Sequence, residues 1–138
     1  MFISESDYDV QARQEILSLL DTSDGNANLG VAERMAVDQI KQYIGGRYDC
    51  EAIFSATGDN RDMFIVMITI DIALYHLWSK RAPRKSPELR AQRYQDALDW
   101  LKCVGDGTMK SNLPQLDVDN FKSDISIVSR YQQNFNKY

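Results

Sequence analysis

The chain has 138 residues, 43% of them apolar and 26% charged, with a formal net charge of −4. These values fit one domain large enough to bury its own core, and they exclude a low-complexity or mainly disordered chain. Two cysteines, Cys50 and Cys103, are too few for a disulfide scaffold and lack the spacing of a zinc site, so both are read as free thiols.

The opening residues Met1 to Glu5 show neither a basic n-region nor an apolar h-region. The longest apolar stretch, Met63 to Trp78, is interrupted by Thr69, Asp71 and His76. It falls short of the roughly 18–20 clean residues of a membrane span. The expectation is a soluble, intracellular protein with no membrane partner.

A first helix is predicted from near Asp7 to Leu20, with Ala12, Ile16, Leu19 and Leu20 at helical steps and the turn formers Asp21 to Asn26 ending it. A second runs from near Leu29 to Ile44, where Gly45 and Gly46 can close it. Residues 47–58 then read as a loop that contains Cys50. A third helix is predicted from Asp59 or Asn60, either able to cap free amides, to about Arg81. Its run Met63 to Ile68 is apolar on every side, as in the buried centre of a bundle. β-Branched residues there also suit a strand, but about twenty residues without Gly or Pro exceed a strand's usual length.

Ser86-Pro87-Glu88 reads as the next helix start, with a serine cap and proline at the first helical position. Tyr94, Ala97, Leu98, Leu101 and Val104 form its apolar face, Trp100 flanks it, and Gly105 is expected to close it. The expected fold class is therefore all-α: a bundle of about four helices around a long buried one. Residues 1–107 form the helical domain. Residues 108–138 form a C-terminal tail, either extended or a short strand, because Ile125 and Ile127 alternate with polar neighbours. A lone strand leaves its backbone groups unpaired, so Ile125, Ile127, Tyr131 and Phe135 are candidate tail contacts to a neighbouring subunit.

Charge is unevenly spread. Residues 1–62 hold 5 basic and 12 acidic side chains, residues 63–110 hold 8 and 5, and residues 111–138 hold 3 of each. The basic cluster is Lys80, Arg81, Arg84, Lys85, Arg90 and Arg93. One reading is a solvated helix end, where cations are favoured. The other is a docking patch at Lys80, Arg81, Arg84 and Lys85 that meets an acidic face of a neighbour.

Candidate chemistry is sparse. His76 is the single histidine, so no histidine ligand set exists, and a packed helical histidine is its plain reading. Neither cysteine has an evident base, and no glycine pattern of a phosphate loop follows a strand. No catalytic residue, cofactor or metal is expected. Asp71 is the informative polar residue, because it interrupts a run that should be buried and so needs a partner. Arg47, Arg93 and, one turn along, Tyr75 are the candidates to join it in a polar pin between helices.

Three stretches together resemble a known family. Ile40 to Asp49 resembles its helix-glycine-Arg-Tyr element, and Ile70 to Leu77 resembles its central helix. Arg81-Ala82-Pro83, followed by Arg93 to Leu101 with Arg-Tyr-x-Asp-Ala-x-x-Trp-Leu, resembles its last helix. The family is that of Mu-like prophage head–tail connector proteins, and the resemblance covers about residues 1–107. It implies a non-enzymatic structural protein that forms a ring between portal and tail. The implied partners are itself and other phage head and tail proteins, with DNA passing through the lumen without specific binding. The implied location is the bacterial cytoplasm during assembly and then the head–tail junction of the virion. Two readings of other classes compete with it: a helical adaptor in a non-phage complex, and a nucleic-acid-binding regulator, which the overall acidity disfavours.

Overall fold

The computed structural model describes residues 2–11, 25–81, 84 and 86–116, and for residues 25–27 and 81 the backbone alone. Among these residues the architecture is an all-α bundle. Helix α1 is described over residues 5–11. It is followed by α2 (Gly25–Ile44), α3 (Cys50–Ser55), a 3-10 turn (Gly58–Asn60), α4 (Met63–Arg81) and α5 (Glu88–Asp106). The tail contacts Ile125, Ile127, Tyr131 and Phe135 lie outside the described residues, as does the rest of the predicted first helix beyond Gln11.

Helix α4 is the centre. Ile65, Val66, Ile68, Ile70, Ile72, Ala73, Leu74 and Leu77 are all buried, and they point to every side of the helix. By length and composition α4 could cross a bilayer. Its apolarity has another use here, since α2 and α5 pack on it and on each other. Ile40 and Ile44 of α2, with Leu101 and Val104 of α5, complete the core. Fully burying one such aliphatic side chain contributes about 1.5–3 kcal/mol. The β-branched run is helical because length and enclosure outweigh a weak strand preference. Thr69 is also buried, and its hydroxyl donates to the Ile65 carbonyl, 2.7 Å away and one turn back.

Several boundaries differ from those predicted. Helix α2 begins at Gly25, four residues before Leu29. First-turn amides have no intrahelical acceptor, so poor helix formers cost little there. The expected loop at 47–58 holds α3, with Cys50 as its first residue and Asp49 as its cap, Oδ1 accepting from Ala52 N at 3.2 Å. Asp59 and Asn60 lie in the 3-10 turn, and the carboxylate that serves α4 is Asp62, 3.0 Å from Ile65 N. Pro87 occupies the position preceding α5, and no side chain caps that end, so Ser86 is not the cap. Gly107, with φ +87°, closes α5, whereas Gly105 is inside the helix.

Gly105 has a different task. A Cβ built on it would sit 2.1 Å from the Tyr43 carbonyl oxygen, so α5 approaches the backbone of α2 where only glycine fits. Beyond α5 the chain stays on the bundle as far as Leu116. Leu113 is buried, Tyr48 and Gln115 form an antiparallel bridge, and Asp49 N donates to the Pro114 carbonyl at 2.8 Å.

Candidate functional site: an ion-pair hub beneath an apolar groove

Asp71 sits on the side of α4 that faces both α5 and α1, and it is 3% exposed. Arg93 grips it with both ends of a fork, Nε to Oδ1 at 2.9 Å and Nη2 to Oδ2 at 3.0 Å. Arg90 Nη1 adds a bond to Oδ1 at 3.2 Å, and Gln11 Nε2 of α1 donates to the same oxygen. One carboxylate thus ties three helices together. Charge-assisted, forked bonds of this kind are strong and directional, and they keep the Arg93 guanidinium above its usual pKa. With Arg93, Arg90 and Gln11 all donating to it, the carboxylate is committed to holding helices.

Of the four residues expected in a pin, the structure brings Asp71 and Arg93 together and places the other two elsewhere. Arg47 does not reach Asp71. Its Nε and Nη2 donate to the carbonyls of Gly105 and Asp106, at 3.1 and 3.2 Å. A cation there satisfies the acceptors that a helix leaves open at its C-terminus and complements the dipole. Tyr75 does not bond Asp71 either. Its ring stacks on Tyr94 at 3.8 Å. Arg90 and Gln11 are the members that sequence reasoning missed. Arg90 carries a usable signal, since it falls in step with the apolar stripe Tyr94, Ala97, Leu101 and Val104. Gln11 carries none.

The basic cluster is corrected by the same geometry. Arg90 is buried and Arg93 is committed to Asp71, so neither adds to a surface patch. Lys80 and Arg84 are exposed, and Lys80 donates to Asn28 Oδ1 at 3.2 Å. The Arg81 side chain and Lys85 lie outside the described residues.

Two further polar links fasten the helices. His76 Nε2 lies 2.9 Å from Gln39 Oε1, and Gln39 Nε2 donates to the Tyr94 hydroxyl at 3.0 Å. His76 is thus a packed helical histidine, and burial lowers its pKa. Tyr8 donates to Glu33, a contact between α1 and α2, and burial raises the pKa of both. Among the described residues no group of three His, Cys, Asp or Glu could hold a metal ion. Both cysteines are free thiols, and burial pushes the Cys50 thiol up.

Arg61 secures the N-terminal segment, with Nη1 donating to the Phe2 carbonyl at 2.7 Å and to Asp7 Oδ2 at 2.6 Å. That guanidinium brings the Asp7 pKa down from 3.8 to about 2. Folded Asp7 then stays ionised at a pH where the unfolded chain binds a proton. Its contribution is present above pH 3.8 and is lost as pH falls toward 2. After allowance for partial exposure it is about 1–2 kcal/mol. Urea unfolding should show Asp7→Asn less stable than the parent by that amount at pH 7, with the gap closing below pH 4. A gap independent of pH would remove the ion pair from the account.

Over the hub lies a groove. One part, about 330 Å³, is lined by Asp7, Val10, Gln11, Met63, Val66, Met67, Ile70 and Arg93. A smaller part, about 140 Å³, continues past Met67 and Arg93 to Phe64, Asp96 and Trp100. Val10 is 92% exposed, Met63 59% and Phe64 44%, and Phe64 meets Trp100 edge to face at 4.8 Å. Among the described residues these large apolar side chains thus gather on one exposed face, a feature common to interaction surfaces.

A sequence model of the family described as Bacteriophage Mu, Gp36 matches residues 8–128. No curated protein matches the chain, and no solved structure does.

Proposed function

The chain belongs to the bacteriophage Mu Gp36 family, and from that membership we propose that it is a structural subunit of the phage particle, a head–tail connector that assembles between portal and tail. The family match over residues 8–128 carries this reading. It runs through the whole bundle, so the proposal concerns the entire folded unit and not one borrowed motif. The fold is compatible with it. The carboxylate at its centre is committed to packing, and the surface offers an apolar groove and an exposed basic end at Lys80 and Arg84.

In this proposal the subunits form a ring. Such a ring needs one face of each copy to meet a different face of the next. The acidic half of the chain and the basic end around Lys80, Arg81, Arg84 and Lys85 supply opposite charges for that contact. DNA passes through the lumen without specific binding, since an acidic wall repels it.

A nonsense allele of this gene in the phage that carries it tests the proposal. The expected lysate contains heads and tails that are not joined, and a plasmid copy restores joined particles. A copy with Lys80, Arg81, Arg84 and Lys85 changed to glutamine should restore fewer. Joined, infectious particles from the nonsense allele alone would contradict the connector role.

A further inference from the structure

The groove over the Asp71 hub has α4 as its floor, with α1 on one side and α5 on the other. Val10, Met63 and Phe64 are exposed along it. Most of its charge is neutralised within the fold, since Asp7 pairs with Arg61, and Asp71 with Arg90 and Arg93. Asp96, on the α5 side, differs. It is exposed, accepts from Gln92 Nε2 at 2.9 Å, and forms no ion pair among the described residues. Arg93 Nη1 takes no partner among them either, because Nε and Nη2 hold Asp71. The groove therefore suits an apolar occupant that brings one cation and offers a carbonyl oxygen.

The tail of this chain fits by its origin, its length and its charge. The chain leaves the bundle after Leu116, whose N donates to the Arg47 carbonyl at 3.2 Å, beside the ends of α2 and α5. Residues 117–124 reach about 26–29 Å when extended, roughly the diameter of a small domain. That length carries the following residues to an adjacent copy. Among these, Ile125, Ile127, Tyr131 and Phe135 all fall at odd positions, so the extended tail expected from the sequence puts them on one face. Residues 125–135 contain one charged side chain, Arg130. From Ile125 to Arg130 an extended chain covers about 17 Å, close to the roughly 16–20 Å of two interhelical spacings from α1 across α4 to α5.

We propose that the extended tail of a neighbouring copy lies across this groove. Ile125 and Ile127 cover Val10, Met63 and Met67, Arg130 pairs with Asp96, and Arg93 Nη1 donates to a tail carbonyl. The contact is heterologous, tail to groove, as a ring of subunits requires. It rests on the ring reading above and names the contact by which copies join.

Sedimentation of the full chain and its variants tests this. Met63→Glu spoils the groove at an exposed position and keeps the tail, whereas Ile127→Glu spoils the tail and keeps the groove. Circular dichroism should show both as helical as the parent. The parent should self-associate, and each variant should do so more weakly by about tenfold or more, as expected for a charge placed against a central apolar contact. Mixed together, the two should form a 1:1 species, because one sound groove and one sound tail remain between them. Asp96→Lys and Arg130→Glu should each weaken association by about two- to fivefold, the usual scale of an exposed ion pair. The two changes combined in one chain should restore it.

A parent that stays monomeric at all concentrations, variants that associate as the parent does, a mixture with no 1:1 species, or a charge swap that restores nothing would each overturn the proposal. None of these outcomes touches the structural reading, which stands or falls on whether the nonsense allele leaves heads unjoined.

Discussion

Asp71→Ala should be among the most damaging single substitutions in the described fold, lowering stability by about 3–5 kcal/mol. The carboxylate is buried against Arg90 and Arg93, with Gln11 as a further donor. Removing it takes from both guanidinium groups the carboxylate that they share, one of them 4% exposed. A domain of this size has only about 5–15 kcal/mol in total, so thermal unfolding should begin well below that of the parent. Asp71→Asn retains an acceptor oxygen for Gln11 and loses the charge, so its cost should be smaller. A double-mutant cycle with Arg93→Gln isolates the pair, and residues in direct contact should couple by about 1–3 kcal/mol. Additive effects would mean that the two side chains do not meet.

Gly105→Ala should cost about 1–3 kcal/mol, the usual cost of overpacking, even though alanine is the better helix former by about 1 kcal/mol. The added Cβ would meet the carbonyl oxygen of Tyr43 at 2.1 Å and its carbon at 3.1 Å. Both are backbone atoms, so relief requires α5 to move away from α2. Gly107→Ala provides the comparison. There the added atom meets the Arg47 guanidinium, which can swing aside, and the cost comes mainly from a left-handed φ of +87°. If α5 did not press on the Tyr43 backbone, replacing Gly105 by the better helix former would be neutral or stabilising and Gly107 would be the more sensitive site.

The two glycines show where sequence reasoning stopped. Glycine after an apolar stripe reads as a helix stop, and at Gly107 that physics operates. At Gly105 the glycine answers to a backbone on another helix, which no local pattern contains. The central helix was legible because its signal is long. Nineteen residues without Gly or Pro, opening on a run that is apolar all round, leave one arrangement that keeps that run from water. Helix α3 was missed because six residues with one buried side chain, Ile53, carry no period.

Within the site, Asp71 announced itself as a charge in an apolar run, and Arg93 lay on the next helix where a partner was needed. Arg90 reads as surface from its place in a run of cations, although its place in the α5 stripe puts it inside. Arg47 has no local signal for its acceptor. Its guanidinium serves two carbonyls at the end of α5, and helix ends meet such caps only once the fold brings them together.

The most direct measurement of the central claim is the place of this chain in the finished particle. Purified virions of the phage that carries it should contain the protein in a fixed number of copies, and electron microscopy should show its bundle as a closed ring between portal and tail. Particles that join and infect while containing none of it would contradict the account.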